Sequence, residues 1–317
     1  MPNETTTHML LGALVSDAAS LGLHWLYDPA RIAELAAQND NSAAFLPVDP
    51  AHFEGAKGYF AHATRQTGML TQYGEVLRLC IATMITTDGD FDAAVYAQAF
   101  AAHFGSGGSY NGYIDRPTRG ALQNMADELV PSGIDDDQLP AVATLPAILA
   151  RYHRDPALGD MVQTAAQVTN INTVADGYSA AFTDLLRRVL EGAPLQEALG
   201  AVAEAAVDAE IKAALQDALS TTETDTVRYG ETTGRACHLP MAGPLIFHIL
   251  RHATDYRDAV ERNIRAGGDN AGRSLMVGAV MAAVHGVATP KGVPLSWVLS
   301  LQDGPEIWAE CQALAAP

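Results

Sequence analysis

Along most of this chain, apolar residues return every three or four positions. Val174, Tyr178, Ala181, Leu185 and Val189 form one such stripe, with the period of a half-buried helix. Stretches rich in Ala, Leu, Glu and Arg with the same spacing predict helices over 92–104, 175–191, 195–219 and 256–265. Alternating β-branched runs between turn signals are nearly absent. Three stretches break the pattern and predict loops. Residues 40–68 mix Pro, Gly, His and aromatics, 105–119 open on Gly-Ser-Gly-Gly-Ser-Tyr-Asn-Gly, and 221–240 are polar. None reads as an interdomain linker. Long Ala-rich helices with short connections predict an all-α chain with a single domain over 1–317.

Composition narrows the function classes. The 317 residues suffice for a sizeable core, and 48% are hydrophobic. Lys and Arg total 19 against 37 Asp and Glu, a formal charge of -18. Such a surface repels nucleic-acid phosphate and anionic lipid, so no nucleic-acid or membrane partner is expected. Asp135, Asp136 and Asp137 precede a helix expected at Leu139 and read as solvated loop or helix N-terminal charge, not an ion site. Cys80, Cys237 and Cys311 lie far apart and in no CxxC pair, as free or buried thiols of a reducing compartment do. Residues 9–26 are apolar, but no Lys or Arg precedes them and Asp17 interrupts them, unlike a secretory signal. The expected location is cytoplasmic.

Four segments carry a likeness to a known family. Residues 12–28 read GALVSDAASLGLHWLYD, 71–80 TQYGEVLRLC, 111–122 NGYIDRPTRGAL with Val168-Thr169-Asn170 beyond it, and 267–286 GGDNAGRSLMVGAVMAAVHG. In this order they resemble the ADP-ribosylglycohydrolase superfamily. Asp17 and Ala18 match its opening Gly-Asp-Ala helix, and its glutamate position falls on His24. Thr71 matches its Thr-Asp-Asp-Thr, whose Asp pair is here Gln72-Tyr73. Gly267, Gly268 and Asp269 match its Gly-Gly-Asp-Thr-Asp-Thr turn, which continues here as Asn270, Ala271 and Gly272. Asn170 stands for a histidine. The Tyr-Gly-Glu after Thr71 and the Gly-Gly-Asp-Asn turn resemble a divergent branch that includes the jellyfish-lens crystallins.

The resemblance implies a compact multi-helix orthogonal bundle and hydrolysis of an N- or O-glycosidic bond at ADP-ribose. It also implies two Mg²⁺ held by six side chains, of which only Thr71 and Asp269 survive. Two dications about 4 Å apart repel by roughly 17 kcal/mol at an effective dielectric of about 20, which one carboxylate does not offset. The dinuclear centre is therefore not expected, and Asp269 would hold a single weak Mg²⁺ at most. A metal-dependent variant would need ligands from elsewhere, such as Asp17 or Asp28.

Candidate roles follow from position. His24, with Asp28 to orient it, and Glu75, one turn after Thr71, are candidate acid or base groups alongside Asp269. The competing readings are a core histidine and a surface pair of Glu75 with Arg78. Arg273, four residues after Asp269, is expected to pair with it and to fork onto a ligand, with Asn270 beside it. Against this stands Asp269 as an N-cap with Arg273 on the surface. Thr71, Gln72, Tyr73, Asn111, Gly112, Tyr113 and Asn170 complete the expected ligand contacts. Tyr73, Tyr110 and Tyr113 are candidates to stack on a planar ring, and Asp115 reads as a turn or cap residue. His238 and His248 read as structural. The expected ligand is a small ribosyl or nucleotide-like molecule or an ADP-ribosylated substrate. The alternative is an inactive ligand-binding or crystallin-like structural member.

Overall fold

The computed structural model describes residues 4–316. Its first half contains α1 (Glu4–Ser20), α2 (Pro29–Ala37), α3 (Gln72–Thr86), α4 (Ala93–Phe104), α5 (Arg116–Ala126), α6 (Leu145–Tyr152) and α7 (Leu158–Ala166). The second half continues with α8 (Thr173–Leu190), α9 (Leu195–Ala205), α10 (Ala209–Ser220), α11 (Thr226–Thr233), α12 (Leu239–His252), α13 (Tyr256–Ala266), α14 (Asn270–His285), α15 (Leu295–Leu299) and α16 (Gly304–Leu314). Among the described residues β pairing is confined to isolated bridges such as Leu26 with Gly58. The fold is all-α, as the apolar spacing predicts.

Two helices form the centre. α1 and α14 are buried nearly all round, in keeping with the many small and apolar residues on every face of each. They cross in backbone contact. A Cβ added at Gly278 would lie 2.3 Å from the Gly12 carbonyl oxygen, and one at Gly12 would lie 2.2 Å from Ala282 Cβ. The Tyr256 hydroxyl donates to the Gly12 carbonyl at 2.6 Å and ties α13 to the same crossing. This crossing sets α1 and the segment after it against the start of α14, where the site lies.

Side-chain caps define most helix starts. Asp92 caps α4, Asn172 caps α8 and Asp255 caps α13, each accepting backbone N–H groups of the first turn. The helix expected over 195–219 is two helices, because Ala206 turns extended and Asp208 caps a fresh start at Ala209. The loop expected over 221–240 holds α11, capped by Asp225 and closed by Gly234 at positive φ. Of Asp135, Asp136 and Asp137, Asp135 is exposed as expected of a solvated run, whereas Asp136 is buried. Asp135 accepts from Asn172, Asp136 is buried and pairs with Arg116, and Asp137 bonds His238. Separate partners take the three carboxylates in different directions. No described helix is long and apolar enough to cross a membrane.

Candidate functional site

The Gly267–Gly268 turn, with both residues at positive φ, delivers Asp269 to the N-cap of α14. Asp269 is fully buried. Its Oδ1 accepts from the Gly272 amide at 3.0 Å and lies 2.9 Å from His24 Nε2. Its Oδ2 accepts from the Tyr73 hydroxyl at 2.7 Å. Burial alone would raise this carboxyl. The charge and hydrogen bond of His24, the Tyr73 hydroxyl and the Gly272 amide outweigh burial and hold it below its ordinary value. The His24 ring continues the chain, with Nδ1 2.7 Å from His62 Nε2. Burial, then the charges of His24 and Arg65, push His62 well below the ordinary histidine range, and its Nδ1 is buried without a partner.

A second buried carboxylate anchors the start of α3. Asp17 accepts the Thr71 hydroxyl at 2.6 Å and the Thr71 amide at 2.7 Å, while the Thr71 hydroxyl caps α3 at the Tyr73 amide. Gly74 makes room for this: a Cβ there would sit 2.3 Å from Asp17 Oδ2. Burial pushes Asp17 up to about 6 against the pull of both Thr71 bonds. Gln72 turns the other way. Its amide nitrogen Nε2 donates to Asp115 at 2.8 Å and to Thr118 at 2.6 Å, and its Oε1 accepts the Asp115 amide at 2.7 Å. Asp115 caps α5, as the sequence suggests, and is also this polar partner.

An aromatic cluster lies beside these groups. Trp25, at positive φ, meets Tyr113 edge-on at 4.7 Å between centroids and His24 at 4.8 Å. Tyr59 leans on both Trp25 and Tyr113 and is 60% exposed. Cys237 is half-buried, and burial followed by the Asp269 charge pushes its thiol up to about 12.

Several sequence expectations need correction. Arg273 makes no ion pair with Asp269. Its guanidinium is fully buried and donates to the side chain and carbonyl of Asn263 and to the Gly267 and Arg235 carbonyls. It thus serves the carbonyl end of α13, where a cation is favourable, with its donors directed to protein groups. Glu75 pairs with Arg65 and bonds His103 at 3.2 Å. Burial raises Glu75, but those two partners outweigh it and lower the carboxyl, so it is a poor base. Arg78 pairs with Glu310 and Asp303, not with Glu75. Asp28 caps α2 and makes no bond to His24. Tyr73 is buried against Asp269 and has no free face for stacking on a ligand. Tyr110 donates to the Tyr113 carbonyl, with Arg65 over its ring. Asn170 donates to the Asp136 carbonyl, and Asn270 donates to the Leu23 carbonyl, bracing the turn after α1. Exposed Asn111 accepts from Thr64 through its carbonyl, and Gly112 abuts the Tyr110 hydroxyl.

His62 and Tyr59 lie beside these groups from outside the motif segments, and Trp25 follows His24 within the first of them without matching a motif position. They lie in or beside connecting segments, brought in by bonds from the Tyr59 amide to the Trp25 carbonyl and from the Tyr27 amide to the Lys57 carbonyl.

The donors present do not fit a pair of Mg²⁺ ions, which take octahedral oxygen shells. Both Asp269 oxygens, the Thr71 hydroxyl and the Gln72 amide are committed to protein partners. Among the described residues no three His, Cys, Asp or Glu side chains converge as an ion site.

A buried carboxylate at the start of the small-residue helix α14 meets His24, just beyond α1, and Tyr73 of α3 at the centre of an all-α bundle. The ADP-ribosylglycohydrolase family model matches residues 3–316, and the chain belongs to that family. Crystallin J1A of Tripedalia cystophora is 26% identical over 313 residues, covering 94% of this chain and 92% of that protein. Crystallin J1B of the same animal is 24% identical over 312 residues, with the same coverage. A solved structure described as an ADP-ribosylglycohydrolase-related protein complex superposes with a TM-score of 0.68 at 16% identity. That match covers 98% of this chain and 97% of the other, and shows the shared fold.

Proposed function

We propose that this chain hydrolyses a glycosidic bond, N-ribosyl or ADP-ribosyl-like, at a site that works without the family's two metal ions. The observation that carries the reading is the His24–Asp269 pair. It places an imidazole, held by a buried carboxylate, at the position the resemblance gives to a catalytic glutamate. A carboxylate that orients a histidine and stabilises its cation is a recurrent acid–base device, worth about 10²–10⁴ in rate. The ligand would be a small ribosyl or nucleotide-like molecule whose planar ring rests on Trp25 and Tyr113. The three free cysteines favour a reducing, cytoplasmic setting. The test is turnover of a panel of N-ribosides and ADP-ribosylated amino acids in excess EDTA. The expected result is activity that survives chelation and falls at least about 100-fold in His24→Ala. Activity present only with Mg²⁺ or Mn²⁺, or none at all, would count against it.

A second reading is a structural or ligand-binding protein. Two observations favour it: the curated relatives are named crystallins, and the inner polar groups largely satisfy one another. ADP-ribose that binds without being hydrolysed would stabilise the fold by about 2.7 kcal/mol at a hundredfold over Kd, visible as a thermal shift without turnover.

A further inference from the structure

We propose that the groove between α7 and α8 is a binding site for a small aliphatic amine with a second polar group. Asp176 holds its ammonium, and Ser179 and Thr183 hold the second group. The inference goes beyond the hydrolase reading and does not depend on it. The cavity there is about 320 Å³, the size of a small-molecule site. Val162, Gln163 and Ala166 of α7 form one wall, and Asp176, Ser179 and Thr183 of α8 form the other. None of them is among the groups bonded to Asp269, Asp17 or Gln72.

Three polar groups of α8 line this cavity without partners. Asp176, Ser179 and Thr183 follow one another at helical spacing, so they share one face and span about 10 Å along the axis. Ser179 is only 2% exposed, and its hydroxyl meets no protein partner. The Thr183 hydroxyl is likewise buried and unpartnered. Hydroxyls inside helices ordinarily bond a carbonyl three or four residues back, as Thr164 of α7 does with Asp160 at 2.7 Å. Ser179 and Thr183 do not. Single unpartnered atoms occur elsewhere in the chain. Here two stand one turn apart on the wall of one cavity, in line with a carboxylate that is also unpaired among the described residues.

The carboxylate sets the charge of the ligand. Asp176 is partly buried, and burial raises its carboxyl with no hydrogen bond or cation among the described residues to draw it down. The cations further along α8 are already engaged: Arg187 pairs with Asp184 and Glu191, and Arg188 with Asp184. An anion in the groove would meet Asp176 unopposed, and a neutral ligand would leave it without a counter-charge. An ammonium supplies both the charge and the donors. Ser and Thr hydroxyls both donate and accept, so the second group is a hydroxyl or an amine. Between the polar ends, Val162 and Ala166 offer an apolar wall that suits methylenes.

Titration calorimetry of the whole chain with aminopentanol, pentylamine and pentanediol tests this, with backbone amide NMR to locate the site. Aminopentanol is expected to saturate one site and to move the amides of α7 and α8 around Gln163 and Ser179. Pentanediol keeps the shape and loses the charge, and should bind at least about tenfold more weakly. Pentylamine keeps the charge, loses the second group and should fall between the two. Asp176→Asn should bring aminopentanol down to the level of pentanediol. Ser179→Ala combined with Thr183→Val should remove the advantage of aminopentanol over pentylamine. Thr183→Val alone serves if the double variant does not fold, and circular dichroism decides that. No saturation by aminopentanol, equal binding of the diol, amide shifts outside the groove, or wild-type affinity in Asp176→Asn would each overturn the assignment and leave the groove to water. None of these outcomes is read from turnover, so the hydrolase reading stands or falls separately.

Discussion

Asp17 and Asp269 are both fully buried, yet their surroundings set opposite pH behaviour. Asp269 lies below its ordinary value, so its contribution is present above the unfolded carboxyl range and is lost as pH falls through the folded value. Asp17 is raised from 3.8 to about 6 by burial. Between those values the folded state binds the extra proton, so stability falls as pH rises from about 4 to about 6 and is level above that. The size is about 3 kcal/mol at most for a shift of this order. The expected observation is that the stability difference between wild type and Asp17→Asn, from urea unfolding, declines across that window. A flat difference would mean that Asp17 is ionised throughout. The sequence shows which positions matter here: Asp17, Thr71, His24 and Asp269 all stand out by motif. It does not show which partner each takes, because those bonds span up to 245 positions. Arg273 illustrates the limit. Spacing puts it one turn from Asp269, but the carbonyl end of α13 supplies more acceptors and wins the guanidinium.

At the scale of elements, the α1–α14 crossing fixes the site, and its glycines are the test. Gly278→Val would drive a side chain into the Gly12 carbonyl and is expected to cost about 3 kcal/mol, the upper end of ordinary overpacking. Gly200 in α9 has no atom near an added Cβ, so Gly200→Ala should stabilise by about 0.5–1 kcal/mol. Urea unfolding of both variants checks the contrast, and a tolerated Gly278→Val would mean the helices part easily. Helix existence is legible from periodicity, and 92–104 and 256–265 lie within a residue or two of α4 and α13. Where reading fails, local caps decide. Asp208 breaks an Ala-rich run that periodicity alone would continue, and Asp225 with Gly234 builds α11 from polar residues. His62 is hidden for the same reason: it lies in a stretch with no period, placed by backbone bonds that no pattern announces.

For the whole molecule, the bundle of the ADP-ribosylglycohydrolase family is retained while side-chain hydrogen bonds join the polar groups at its centre. Positions that the resemblance gives to metal ligands carry Gln72 and Tyr73. Each reaches a protein group instead, Asp115 with Thr118 in one case and Asp269 in the other. The central claim is that these bonds replace the ions. Titration calorimetry of Mg²⁺ into the chelator-stripped chain tests it most directly. The account predicts no pair of saturable sites; two tight Mg²⁺ sites, lost in Asp269→Asn, would contradict it.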